Sequence, residues 1–257
     1  RQDYVARIEL SGIIMDDPYR EKIMKELAED KHAKALIFNI DSPGGTTVGG
    51  EALYDELRKL SESGKPVVVV QRTLAASAGY MASVAGDRIF ARKGTITGSI
   101  GVLMQTAEVT DLAEKLGIKL ETLKSAPLKA SPSPFEKTTP EAAAAMQYVI
   151  DDFYNFFVDL VAERRNLSPE KARQLADGRV YTGRQALANG LVDAIGGEEE
   201  AKEWLFTEKK ISKDIKIEDV DIIEPETTLT EKIFGKPERS EIYQRLNLSG
   251  LLAIWHP

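Results

Sequence analysis

Apolar positions over the first seventy residues follow two alternating rhythms. Short runs rich in β-branched residues, "RIELSGII", "ALIFNI" and "PVVVVQ", are separated by "YREKIMKELAED" and "GGEALYDELRKLSES", whose apolar residues recur every three or four positions. The first kind has the length and composition of strands, and the second has the period of amphipathic helices. The uninterrupted apolar run at 67–70 offers no polar face to solvent. The βαβαβ order therefore predicts a largely parallel sheet covered by helices on both faces. Gly64 followed by Pro66 ends the second helix.

From residue 77 the pattern predicts a helix in "SAGYMASVAG", a strand "RIFA", a Gly-rich turn "RKGTITGSIG", a strand "VLMQ", a helix "DLAEKLG" and a strand "IKLETLK". Three prolines make "SAPLKASPSPFEKT" a loop. Thr139-Pro140 opens a long helix with apolar residues on more than one face, and Ser168-Pro169 and Thr182-Gly183 open two shorter ones. The last fifty or so residues are charge-rich and weakly periodic and end in the apolar "LNLSGLLAIWHP". The expected organisation is a single domain over residues 1–207, with 208–257 an extension packed on it or on a neighbouring subunit.

Composition narrows the chemistry. With 42% hydrophobic and 29% charged residues, the 257-residue chain is ordinary for a globular protein. A net charge of −7, with Lys and Arg scattered, argues against a nucleic-acid partner. The absence of cysteine excludes disulfides, thiolate nucleophiles and zinc–thiolate sites. No apolar run approaches the roughly 20 residues of a membrane-spanning helix. The chain starts at Arg1 without a methionine and enters a strand pattern almost at once, the pattern of a trimmed chain that a signal segment or membrane anchor could have preceded.

One stretch stands against the packing trend. "TLAASAGY" follows a strand and surrounds Ser77 with very small side chains, giving up buried apolar area that a core position would normally hold. A close helix–strand crossing would explain it, and so would a reactive hydroxyl that needs room. A serine nucleophile requires a base. The two histidines, His32 in a charged turn and His256 next to the end, occupy poor places for a rigidly held imidazole. Lysine is the other base, provided its amine is neutral. Most lysines lie on polar helical faces, whereas Lys129 sits among small and apolar residues in the Pro-rich loop. "IDSPGGT" at 40–46 supplies a strand-to-helix turn whose Gly44-Gly45 pair can expose amides to an oxyanion. In a parallel sheet, both this turn and Ser77 fall just beyond strand carboxyl ends, where such folds place their sites.

Taken in order, these segments resemble the signal peptide peptidase A family, bacterial serine-lysine peptidases. The likeness runs from about residue 5 to about residue 205 and rests on "DSPGG", "AASAGY", "TGSIGV" at 97–102, the lysine loop ending in "SPF", and "DGRVYTGRQALANGLVD" at 177–193. It implies a Clp/crotonase-like α/β fold, a repeated ββα/βαβ superhelix with a largely parallel sheet and flanking helices. It also implies Ser77 as nucleophile, Lys129 as general base, Ser99 aiming the lysine amine, the amides of Gly44 and Ala78 holding the oxyanion, and Gly45 supporting the turn. Ala78 stands where the family more often has glycine, and the lysine loop lacks the family's usual Gly and Asp, which makes Lys124 the alternative base.

The activity so implied is an endopeptidase that degrades cleaved signal peptides and similar apolar extended peptides through an acyl-enzyme, with no cofactor and no metal. The implied setting is a homo-oligomeric ring at the bacterial cytoplasmic membrane, anchored by an N-terminal segment, with the catalytic domain on the extracytoplasmic side. The apolar C-terminus is expected to dock in or near a neighbouring active site as a product mimic. A crotonase-type acyl-coenzyme A enzyme and a non-catalytic binding scaffold of the same fold are the alternatives.

Overall fold

In the computed structural model, which describes residues 2–222 and 252–254, the alternating rhythm becomes a sheet flanked by helices. Strand β1 (Tyr4–Ser11) leads through α1 (Pro18–Glu29) to β2 (Ala33–Ser42), and a three-residue strand β3 (Gly44–Thr46) runs into α2 (Thr47–Glu62). Then come β4 (Val67–Ala76), α3 (Ala78–Ser83), β5 (Arg88–Ala91) and β6 (Ile96–Gly98). The second half holds α4 (Thr110–Lys115), α5 (Pro140–Arg165), α6 (Pro169–Leu175), β7 (Val180–Thr182), α7 (Gly183–Ala188), β8 (Ala194–Ile195), α8 (Glu198–Thr207) and β9 (Lys216–Asp219). The last strand is β10 (Leu252–Ile254). The helix starts at Thr139, Ser168 and Thr182 form as read, each hydroxyl accepting a first-turn amide.

The main sheet runs β7-β6-β4-β2-β1-β9, with β5 and β8 attached beside β4. The pairings among β1, β2, β4, β5 and β6 are parallel. Successive side chains of β2 and β4 feed two cores. Leu36, Phe38, Ile40, Val67 and Val69 pack under α2 and α5, while Ile37, Val68 and Val70 pack against Ala201 and Leu205 of α8. This is why these strands carry apolar residues at consecutive positions. Beyond the central strands, β9 extends the sheet from residues past 208 by pairing with β1.

Strand β4 divides its partners. Val68–Gln71 pair with β5, whereas Leu74–Ala76 pair with β6. At the division the register with β2 shifts, and Asp41 Oδ1 accepts the Leu74 amide at 2.9 Å. A side chain thus satisfies the backbone where the ladder breaks, and the end of β4 is carried toward β6.

Two expected strands do not form: "VLMQ" and "IKLETLK" belong to no strand of the described residues. Leu123 is 91% exposed, and Leu120 and Ile118 are also exposed. An alternating segment gains a strand's hydrogen bonds only beside another strand, and among the described residues no strand pairs with either segment. On the far side, Tyr80 of α3 is fully buried and donates its hydroxyl to the Leu191 carbonyl at 2.8 Å. Burial pushes that phenol well above its ordinary range, so it stays a neutral donor. Arg165 binds Asp193, which also accepts the Ile89 amide. The segment 177–193 is thereby fastened beneath the helix that follows Ser77. Tyr80→Phe leaves the Leu191 carbonyl without its donor, and urea unfolding should show a loss of about 1–3 kcal/mol.

Candidate active site

Ser77 caps α3 with φ 56° and ψ −119°, a backbone conformation that side-chain-bearing residues rarely adopt and that costs about 1–3 kcal/mol. It is held there from both sides. Its amide donates to the Gly98 carbonyl at 2.8 Å, and its carbonyl accepts the Tyr80 and Met81 amides, both at 2.9 Å. The residue is 1% exposed, and its hydroxyl has no hydrogen-bond partner among the described residues. Ser99, one residue beyond Gly98, also has positive φ (52°) and is 8% exposed. Its amide is fixed to the Arg179 carbonyl, while its hydroxyl likewise lacks a partner among the described residues. Two buried serines, their hydroxyls unpaired among the described residues, thus stand on neighbouring strand ends.

The small residues answer a packing demand as well as a chemical one. A Cβ on Gly50 would lie 3.0 Å from the Ala78 Cβ, and one on Gly79 would lie 3.1 Å from the Ser42 carbonyl oxygen. Helices α2 and α3 and the end of β2 therefore approach almost backbone to backbone. The methyl of Ala78 is accommodated because the facing residue is glycine. The close-crossing reading of "TLAASAGY" holds, and the same crossing places the glycine turn beside the serine.

That turn is β3. The Ile14 amide donates to the Gly44 carbonyl at 2.9 Å, and the Thr46 amide donates to the Ile14 carbonyl at 3.0 Å. Peptide groups along a strand alternate edges, so the N–H and C=O of Gly45 face the opposite side. On that side lies β10, antiparallel, with Ala253 opposite Gly45. The chain's own C-terminal segment therefore occupies the free edge of the glycine strand. The rest of the tail from about residue 240 lies outside the described residues. The Gly44 amide donates to Ser42 Oγ at 3.1 Å, so an incoming oxyanion competes with this hydroxyl. Ala78, the first residue of α3, offers its amide at the same end of the sheet.

Ser77, Ala78, Ser99, Gly44 and Gly45 are thus gathered by the ends of β4, β6 and β2. Lys129 is not brought among their hydrogen-bond partners. It is exposed, in a turn where its amide bonds the Ala126 carbonyl, and its ammonium has no partner among the described residues. Lys124 is committed elsewhere, bonded to Ser131 Oγ at 2.8 Å and paired with Glu136, whose carboxyl this lysine holds below the usual range. It braces the loop that carries Lys129. His32, 43% exposed and bonded to Asp3, precedes the ten-residue β2, on the order of 30 Å from that strand's carboxyl end. It is no base for Ser77 in this chain, and His256 lies outside the described residues. The bearing of Ile14 on Gly45 was not legible in the sequence, where only the glycine pair hinted at a close neighbour.

Comparison with known proteins follows the same lines. Residues 59–212 match the family described as "Peptidase family S49". A Synechocystis sp. protein assigned as a protease is 41% identical over 233 residues, covering 90% of this chain and 83% of its own length. An Enterococcus faecium protein assigned as signal peptide peptidase SppA is 39% identical over 74% of this chain, which spans 55% of that relative. A solved structure of a serine-to-alanine mutant of the membrane-bound stomatin-specific protease 1510-N superposes with a TM-score of 0.54 at 15% identity. That match covers 86% of this chain and 98% of the other, a likeness of fold. The architecture is the Clp/crotonase-type α/β fold expected from the sequence.

The strain at Ser77 is measurable. Ser77→Gly should raise the free energy of unfolding by about 1 kcal/mol, because glycine adopts this conformation freely. Ser77→Ala keeps a Cβ and should stay within about 0.5 kcal/mol of the parent protein. Equal stability of the two variants in urea would show that no strain is stored there.

Proposed function

This chain belongs to peptidase family S49 and is a serine peptidase, and we propose that it is an endopeptidase in which Ser77 attacks and Lys129 of a neighbouring copy serves as the base. The observation that carries the reading is the pair of hydroxyls of Ser77 and Ser99, on two largely buried residues and without a partner among the described residues, beside a glycine strand, with the lysine loop exposed. An ε-amine becomes a base only when desolvated, which a solvent-facing turn does not provide and a subunit interface does. The lobe that carries Lys129 has the surface for it, with Leu112, Leu116, Ile118, Leu123 and Phe135 all more than half exposed. A closed ring of copies would cover this lobe and give "IKLETLK" a strand to pair with.

In the first step the neutral amine takes the Ser77 hydroxyl proton as Oγ bonds to the peptide carbonyl carbon, and Ser99 accepts a hydrogen bond from the amine. The carbonyl oxygen becomes an anion held by the amides of Ala78 and Gly44, the latter leaving Ser42 Oγ. Collapse breaks the C–N bond, with the lysine proton passing to the leaving amine. Water, deprotonated by the same lysine, then releases the acyl group. No cofactor or metal is required.

The substrate lies as an extended strand on the edge of β3 that β10 occupies, its backbone read by Gly45. Exposed Val48, just after this strand in sequence, and exposed Ile13, next to the Ile14 that bridges to Gly45, favour apolar side chains. Signal-peptide remnants and similar apolar peptides fit that chemistry, as does a site at the bacterial membrane on its extracytoplasmic side. Among the described residues no helix is long and apolar enough to cross a membrane, so attachment would rest with an anchor outside them. Family membership favours peptide hydrolysis over acyl-coenzyme A chemistry.

Ser77→Ala and Lys129→Ala should each abolish hydrolysis of an apolar fluorogenic peptide while leaving the fold intact. Mixing the two inactive proteins under conditions that exchange subunits should restore a fraction of the parent rate, because some interfaces then join an intact serine to an intact lysine. Activity in either variant alone defeats the dyad, and no recovery on mixing defeats its sharing between copies. A serine-directed acylating inhibitor should add its mass at Ser77; labelling elsewhere defeats the assignment and leaves the scaffold alternative. Removing residues from about 240 onward should raise the rate at low substrate several-fold by vacating β3, and an unchanged rate and peptide affinity would show that the tail does not compete.

A further inference from the structure

Away from the reacting groups, one charged pair is buried almost completely. Arg20 of α1 is 3% exposed and Glu56 of α2 is 6% exposed. The guanidinium meets the carboxylate with two donors, Nε to Oε2 at 2.7 Å and Nη2 to Oε1 at 3.2 Å. The third, Nη1, donates to the Met15 carbonyl at 2.9 Å. Arginine's planar fork makes this arrangement directional: once the carboxylate fixes two donors, the direction of the third is set.

Met15 is the neighbour of Ile14, whose amide and carbonyl hold the Gly44 carbonyl and the Thr46 amide. A Cβ on Gly45 would overlap the Ile14 carbonyl oxygen, and one on Gly49 would lie 2.7 Å from the same atom and from the Met15 carbonyl carbon. Residues 14 and 15 are therefore pressed onto the glycine strand and the first turn of α2. The path closes on itself, from Glu56 in α2 through Arg20 and residues 15 and 14 to β3, which leads straight back into α2 through the Thr46 cap. Glu56 is the link to helix α2 and Arg20 the link to the loop.

Stability does not account for the pair. Desolvation raises the Glu56 carboxyl above its ordinary range despite the opposing Arg20 contact. Buried ion pairs of this kind are often matched or bettered by apolar residues of similar volume. What an apolar pair cannot do is hold a carbonyl in a fixed direction.

We propose that Arg20, oriented by Glu56, is a positioning residue for the peptidase reaction, fixing the oxyanion strand Gly44–Thr46 through the Met15 carbonyl. The inference rests on the peptidase reading, since it is catalysis that needs β3 set to a fraction of an ångström.

The test separates geometry from stability. In the double variant Arg20→Met, Glu56→Leu, the apolar pair fills the same space, so unfolding in urea should be unchanged or require more denaturant. Hydrolysis should nonetheless fall roughly tenfold or more, chiefly in kcat. Amide hydrogen exchange should rise in residues 12–17 and 43–49 while β1 and β2 stay protected. Arg20→Lys, which keeps a positive charge opposite Glu56 but loses the fork, serves if the double variant does not fold. It should show the same local exchange and an intermediate rate. Full kcat with unchanged exchange in either folded variant overturns the proposal. Should the parent protein hydrolyse no peptide, the peptidase reading has failed on its own, and the exchange measurement still reports whether Arg20 holds the strand.

Discussion

The organising constraint is a contact in which side chains have been removed so that backbones can meet. Residues 14 and 15 lie on Gly45 and Gly49, Ala78 lies against Gly50, and Ser42 lies against Gly79. Four segments that leave or follow the carboxyl ends of β1, β2 and β4 converge there at separations that a Cβ at these positions would close. Such a cluster buries little apolar area and yields little hydrophobic stabilisation. It exists because the strands behind it are apolar on both faces, and their two cores carry the fold.

From that convergence the chemistry follows. Backbone groups, unlike flexible side chains, can be aimed by the sheet itself, and the site is built mainly from them. The carbonyls of Gly98 and Arg179 accept the amides of Ser77 and Ser99, and Ile14 and Ser42 set the peptide planes of Gly44 and its neighbours. The strain at Ser77 belongs to the same economy of space. The positive φ of Ser77 turns the chain from the end of β4 directly into α3. The loop of Lys129, by contrast, is braced by Lys124 and Glu136 but stands open to solvent.

The chain thus has a rigid half and an unfinished half. The rigid half presents the Ser77 hydroxyl, the amides of Gly44 and Ala78 and a strand edge that accepts an extended segment, as β10 shows by pairing with it. The unfinished half holds an amine without a partner among the described residues and an alternating segment without a sheet. In the proposed function, subunit association would complete both at once, because a surface that buries Leu123 and its neighbours would also remove water from around a lysine. The Arg20–Glu56 fork serves the rigid half, converting the packing of α1 on α2 into a fixed direction for the glycine strand.

Much of this was legible in the linear chain. Period and run length determined the parallel sheet and its helices, Pro and hydroxyl caps determined the helix starts at Thr139, Ser168 and Thr182, and the small residues around Ser77 with the Gly44-Gly45 pair marked where the backbones would converge. These are local properties: they depend on the conformations a residue permits and on the faces a period exposes. The alternation of "IKLETLK" was legible too and still misled, because a strand is a property of two segments and the second is absent from the fold around it. The sequence also left open which loop bears on Gly45 and whether the lysine reaches the serine within one chain. Those are decided by contacts between residues far apart along the polypeptide, which only the tertiary structure brings together or holds apart.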